Sequence, residues 1–144
     1  MTRQEGNFTL AIIKPDAVHK NYVGNILSII SKADFRLSGM KLIRMSIDQA
    51  EEFYAIHREK SFFEALVQFM SSGPSVVALL KRENAVNTLR DLMGPTDPLE
   101  AASGTIRNLY GETIRKNAIH GSDTDEHAKS EADFFFSQIE RYNW

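Results

Sequence analysis

Phe8 to Lys14 is apolar at nearly every position, and Pro15 follows at once. That is the pattern of a strand buried on both faces, ended by a residue that cannot continue a hydrogen-bonded ladder. The rest of the chain must supply partners and cover for it. Val23, Ile26, Leu27 and Ile30 follow at helical spacing, with Asn21 as a candidate cap. Phe35 to Met45 is β-compatible, although Gly39 and Lys41 interrupt its alternation, and it predicts a second strand. Ser46 and Gln49 form a capping-box pair opening a helix through about His57. Phe62, Phe63, Leu66, Phe69 and Met70 predict another helix. Gly73-Pro74 marks a turn, and Ser75 to Leu80 reads as a short apolar strand. Ala85, Val86, Leu89 and Leu92 mark a helix ending near Gly94. A last helix starts from about Asp123, with Ser122 as its cap, and Phe134-Phe135-Phe136 reads as a closing strand. Stripped of additions, the order is βαββαβ. That is an α+β, ferredoxin-like arrangement: a four-stranded antiparallel sheet with helices packed on one face, plus an extra helical hairpin and a long loop.

At 144 residues the chain is expected to be a single domain, residues 1–144, and its 42% hydrophobic content is enough for a core. A net charge of −2 gives no general pull toward nucleic acid or anionic membrane. The chain has no cysteine, so it has no disulfide, thiolate metal site or thiol nucleophile. Its opening, Met1 to Gly6, is polar and unlike a signal peptide, and no apolar run approaches membrane-spanning length. The expectation is a soluble cytoplasmic protein. No repeat or linker is present. The breaker-rich stretch Gly94 to Gly104 and the polar run Asn117 to Ser130 read as functional loops.

The second of these holds Asn117-Ala118-Ile119-His120-Gly121-Ser122-Asp123. Histidine can be neutral and nucleophilic near pH 7. The adjoining glycine allows a sharp bend and leaves room for an incoming group. Ser122 with Asp125 has a capping-box-like order, which would aim His120 at a helix N-terminus, a place that favours phosphate. A lone histidine is usually packed or solvated, and His19, His57 and His127 carry that reading. His120 differs in having fixed residue types around it in order. Lys14, Arg90 and Arg107 stand at element ends, with Thr96 in the loop between the arginines. Any one cation is most simply a solvated charge, as Lys81, Arg82 and Lys116 are taken to be. Three gathered near one histidine would be costly to bury without anions, and a polyphosphate answers that cost.

The N-x-x-H-G-S-D string resembles the active-site signature of the nucleoside diphosphate kinases. Ile13-Lys14-Pro15-Asp16-Ala17 is similar to the family's opening strand motif, Phe53-Tyr54 with His57 and Phe62-Phe63 to its helical hairpin, and Arg90 with Gly94-Pro95-Thr96-Asp97-Pro98 to its phosphate-binding segment. Gly104-Thr105-Ile106-Arg107 resembles the segment carrying a second arginine. The resemblance spans about Asn7 to Phe136. It implies that His120 is phosphorylated, that Glu131 orients it, that Ser122 supplies the hydroxyl beside it, and that Tyr54 lines the catalytic pocket. It implies further that Lys14, Phe62, Arg90, Thr96, Arg107 and Asn117 bind the nucleotide, with Phe62 on the base and Asn117 on the ribose. On helical spacing alone, Phe62 reads better as core than as a base platform; the resemblance reverses that. Asp97 stands where Asn is common, and Asx chemistry should preserve the turn.

The activity so implied is ping-pong transfer of a γ-phosphoryl group from a nucleoside triphosphate to a nucleoside diphosphate. Mg²⁺ would arrive on the nucleotide's phosphates, because no carboxylate cluster resembles a metal cage; Asp123, Asp125 and Glu126 read as first-turn helix charges. The implied partners are nucleoside tri- and diphosphates and a second copy of the chain in a homo-oligomer, with no membrane and no specific nucleic acid. A non-catalytic relative could have lost His120, Lys14 or an arginine, and this chain retains them all. An RNA-binding module is disfavoured by the negative charge and the lack of an RNP-like string. A phosphocarrier without nucleotide would leave Phe62 and Asn117 without a task.

Overall fold

The first apolar run is strand β1, Phe8–Ile13, and it lies inside a four-stranded antiparallel sheet ordered β2-β3-β1-β4. The computed structural model describes residues 7–144; the polar opening, residues 1–6, lies outside them. After β1 come helices α1 (Pro15–His19) and α2 (Val23–Lys32), then strand β2 (Arg36–Ile43). The helical hairpin is α3 (Ile47–Phe53) and α4 (Phe63–Met70), joined through a 3₁₀ turn at Ala55–His57. Strand β3 (Ser75–Lys81), helices α5 (Ala85–Met93) and α6 (Ile106–Tyr110), strand β4 (Ile119–Gly121) and helix α7 (Asp125–Phe135) complete the order.

Side chains of β1 alternate between two cores. Ala11 and Ile13 pack with Ala17, Ile26, Ile30, Leu89 and Ile106 from α1, α2, α5 and α6. Leu10 and Ile12 pack with Ala50, Val67, Met70, Ala132 and Phe135 from α3, α4 and α7. Helices therefore cover both faces of the sheet, where the bare βαββαβ pattern implies cover on one. This explains why β1 has no polar face.

Several local expectations change. Asn21 is not a cap: it is left-handed (φ 65) before α2, whose N-cap is Tyr22. The Ser46–Gln49 capping box forms as expected, but α3 stops at Phe53. Helix α7 is capped by Thr124, which accepts from His127 N–H, so Ser122 is free for another role. Phe134 and Phe135 belong to α7 and are not a closing strand. The fourth strand is β4, and it carries His120, which is therefore not on a loop. Ala128, Ala132 and Phe135 are buried at helical spacing, and that stripe outweighs the strand propensity of the phenylalanine triplet.

The tail after α7 runs along β2. Tyr142 N–H donates to Ser38 O at 2.6 Å, Trp144 Nε1 donates to Leu37 O at 2.7 Å, and Arg36 lies over the Trp144 ring. These contacts occupy part of an otherwise unpaired sheet edge.

Candidate active site

His120 pairs with Ile12 across the β1–β4 ladder, so it shares the face covered by α3, α4 and α7. Its neighbour Ile119 points into the opposite core. Gly121 is in extended strand, and its role is packing: a Cβ there would meet Met93 Sδ at 2.6 Å and Leu89 Cδ2 at 3.0 Å. The glycine after His120 thus lets α5 approach the sheet, in place of the sharp bend expected from the sequence.

Around the imidazole, Phe53 lies edge-on at 5.6 Å and Tyr54 at 6.4 Å between ring centroids. Glu131, on α7, places Oε1 2.9 Å from His120 Nε2. A carboxylate can only accept, so Nε2 carries the proton and donates it to Glu131. Nδ1 then holds the lone pair, on a ring that lines a cleft. The Ser122 hydroxyl donates to the same Glu131 oxygen at 2.8 Å, and Leu10 N–H donates to Ser122 Oγ at 3.2 Å. The imidazole tautomer is therefore tied to the backbone of the central strand through two side chains. Ser122 is fully buried beneath Glu131, so it braces the site from behind and does not line it. Tyr54 is also buried. Burial, and then the Glu131 charge, raise its phenol above the ordinary value and keep it a proton donor.

The cations come from three elements. Lys14 follows β1 and is buried; its Nζ donates to Asn117 Oδ1 at 2.8 Å and Arg115 O at 2.9 Å. Burial, and then Arg107, pull its pKa down to about 8. Arg107, on α6, donates to Ile119 O at 2.7 Å and Gly94 O at 3.1 Å. Burial and Arg90 pull its guanidinium down to about 10, still charged at neutral pH. Arg90, on α5, reaches the same cleft. None of the three has a salt bridge among the described residues. Grouped cations without carboxylate partners make a site for a multiply charged anion.

Gly94 ends α5 at φ 85, a conformation that a side chain there would resist. The loop it opens carries Thr96, whose carbonyl accepts from Asn117 Nδ2 at 3.0 Å. Asp97 accepts from Leu99 N–H at 3.0 Å, so the Asx turn expected at this position forms. Asn117 thus ties Lys14 to the Thr96 loop from a buried position at the cleft wall.

The cleft has a volume of about 760 Å³, within the range of small-molecule sites. Lys14, Tyr54, Phe62, Arg90, Thr96, Arg107, Asn117, His120 and Glu131 all line it. Phe62 is 42% exposed at its rim, so a core role is ruled out, while Phe63 is buried. Other residues line the cleft as well, among them His57 and His127, which read as packed or solvated in the sequence, and Ile114, which the sequence does not single out. His57 lies between Tyr54 and Phe62, with centroids at 6.5 and 5.5 Å, and burial lowers its pKa. Ile114 is an exposed apolar wall, and His127 enters paired to Asp123. The periodicity of α7 could have flagged His127, which stands one helical turn before Glu131. Among the described residues, no three His, Asp or Glu side chains form a group able to hold a metal ion.

Known proteins resemble this chain in sequence and in fold. The sequence model of the family described as nucleoside diphosphate kinase matches residues 7–141. A nucleoside diphosphate kinase of Chlamydia muridarum is 53% identical over 94% of this chain and 96% of that protein. One from Chlamydia pneumoniae is 54% identical over 94% of each. Among solved structures, the Aquifex aeolicus nucleoside diphosphate kinase superposes with a TM-score of 0.93 at 44% identity, covering 94% of this chain and 98% of that one. The Halobacterium salinarum nucleoside diphosphate kinase in complex with CDP gives 0.91 at 36% identity, covering 95% and 91%.

Proposed function

This chain belongs to the nucleoside diphosphate kinase family, and we propose that it transfers the γ-phosphoryl group of a nucleoside triphosphate to a nucleoside diphosphate through phospho-His120. The observation that carries the reading is His120 with Nε2 tied to Glu131, which leaves Nδ1 as the nucleophile in a cleft bearing three cations. In the first half-reaction, the Nδ1 lone pair attacks the γ-phosphorus. The bond from that phosphorus to the β–γ bridging oxygen breaks, and the nucleoside diphosphate leaves. In the second, a terminal oxygen of an acceptor diphosphate attacks the phosphohistidine, and the P–N bond breaks. The ring gains positive charge during attack, and Glu131 is placed to stabilise it. Lys14, Arg90 and Arg107 supply fixed positive charge for the oxygens of the transferring group. Tyr54 offers a proton-bearing hydroxyl near the histidine.

Phe62, at the rim, offers the base a ring face, a contact that tolerates every base. Thr96 and Asn117 complete the wall against phosphate and sugar. Mg²⁺ belongs to the substrate in this reading, carried on the nucleotide's own phosphates. The charged substrates favour a cytoplasmic location, and no helix among the described residues is long and apolar enough to cross a membrane. A homo-oligomer is part of the proposal; Leu37, Met40 and Leu42, exposed on β2, offer apolar surface for it. Initial-rate kinetics test the mechanism. Parallel double-reciprocal lines on varying donor at several acceptor levels are expected, and intersecting lines would require a ternary complex.

Glu131→Gln keeps the size of the side chain and removes its charge. Phosphorylation of His120 should slow by roughly tenfold or more, with nucleotide binding nearly unchanged. Rapid mixing with ATP reads this directly; an unchanged rate constant would remove Glu131 from the mechanism.

Lys14 adds a pH signature. Its pKa of about 8 in the free protein lies below its ordinary value, so above pH 8 much of it is neutral. A bound polyphosphate favours the charged form, so nucleotide binding should take up a proton at pH 8.5–9. Titration calorimetry in buffers of different ionisation enthalpy should show that uptake, and Lys14→Met should abolish it. The sign for folding is opposite: the unfolded state binds more protons between pH 8 and the ordinary lysine value, so folding releases a proton there and this group's burial cost is relieved as pH rises through that window.

A further inference from the structure

Ala118 is fully buried and has φ 76, a conformation that non-glycine residues rarely adopt. Ile119 N–H donates to Asn117 O at 2.9 Å across it. An i to i+2 bond about a positive-φ residue is the rare, strained form of γ-turn. It lies between Asn117, which ties Lys14 to the Thr96 loop, and His120. Strain of this kind persists only where the surroundings over-determine it.

Two groups at the end of β1 hold this turn. Lys14 N–H donates to Ala118 O at 2.9 Å, and Asp16 Oδ2 accepts from Ala118 N–H at 3.1 Å. The first is a main-chain contact that many side chains at position 14 would preserve. The second depends on the side chain of Asp16. That carboxylate is held in an unfavourable place: its other oxygen, Oδ1, is buried without a partner, and burial raises its pKa against the pull of Lys14. Nothing in the phosphoryl transfer uses it.

We propose that Asp16 is a positioning residue, whose carboxylate holds Ala118 N–H, maintains the strained turn, and so fixes Asn117 and His120 toward the cleft. Its effect on rate rests on the kinase reading above; its effect on the backbone does not.

The test uses Asp16→Ala, Asp16→Asn, Ala118→Gly and the double variant Asp16→Ala/Ala118→Gly. Asparagine removes the charge but keeps an acceptor oxygen, whereas alanine removes both. Glycine at 118 accepts positive φ without strain and lessens the need for the clamp. Amide exchange at Ala118 and Ile119, followed by NMR without nucleotide, should quicken by about tenfold or more in Asp16→Ala. Rapid mixing with MgATP should show His120 phosphorylation slowed by roughly tenfold or more. Asp16→Asn should stay within about twofold of wild type in both readouts, and in the Ala118→Gly background the loss caused by Asp16→Ala should shrink to about twofold. A general loss of fold would instead strike equally in both backgrounds, and that result would overturn the proposal. So would wild-type exchange in Asp16→Ala. A wild-type protein that accepts no phosphoryl group refutes the kinase reading separately, because exchange is read without nucleotide.

Discussion

His120→Ala is expected to lower phosphoryl transfer from triphosphate to diphosphate by on the order of 10⁴-fold or more while the protein stays folded. Nδ1 of His120 is the atom that would bond phosphorus, and no other histidine in the cleft has its tautomer fixed by a carboxylate–hydroxyl relay. His57 is packed between two aromatic rings, and His127 is tied to Asp123 outside that relay. Folding should survive, because the backbone pairs Ala11–Gly121 and Ile13–Ile119 keep the β1–β4 ladder and Glu131 keeps the Ser122 hydroxyl. One lost hydrogen bond is worth about 1 kcal/mol, or somewhat more next to a carboxylate. Coupled-assay turnover with a thermal melt checks both halves. Near-wild-type turnover in a folded variant would exclude the covalent route.

Arg107→Ala should cost about ten- to a hundredfold in kcat/KM, corresponding to roughly 1.5–3 kcal/mol for a lost charge-assisted contact. Arg107 has two tasks. Its guanidinium lines the cleft, and it also clasps Ile119 O beside the nucleophile and Gly94 O at the mouth of the loop. Truncation therefore removes charge and loosens both walls. Arg107→Lys should recover only part of the activity, since one ammonium cannot reproduce the fork that spans the two carbonyls. Steady-state kinetics with ATP and GDP decides this. A truncated variant matching wild type would remove Arg107 from the transfer and leave it only its contacts to the two carbonyls.

The sequence showed best those parts that repeat along the chain. The unbroken apolar run of β1 anticipated a strand covered on both faces, and the two cores bear that out. The Ser46–Gln49 box and the Asp97 turn are local side-chain chemistry, and they form as their residue types imply. What misled was competition among equivalent signals. Ser122, Asp123 and Thr124 are all good caps; Thr124 takes the role because pairing with β1 extends through Ser122 N–H and draws its side chain inward toward Glu131. The triplet Phe134 to Phe136 has strand propensity but sits at the end of a helical stripe. Strand β4, at three residues, is too short to show a period, and its glycine imitates a turn. The residue types of the candidate site were legible, whereas Asp16 was not: its role depends on a backbone strain at Ala118, 102 positions away in sequence.

His120 is expected to accept a phosphoryl group and return it. Incubating the protein with γ-labelled ATP and Mg²⁺, removing nucleotide, and then adding GDP tests it most directly. The expected result is one label per chain, acid-labile and base-stable, mapped to His120 and discharged onto GDP to give labelled GTP. Label that is absent, resides elsewhere, or is not released to GDP would contradict it.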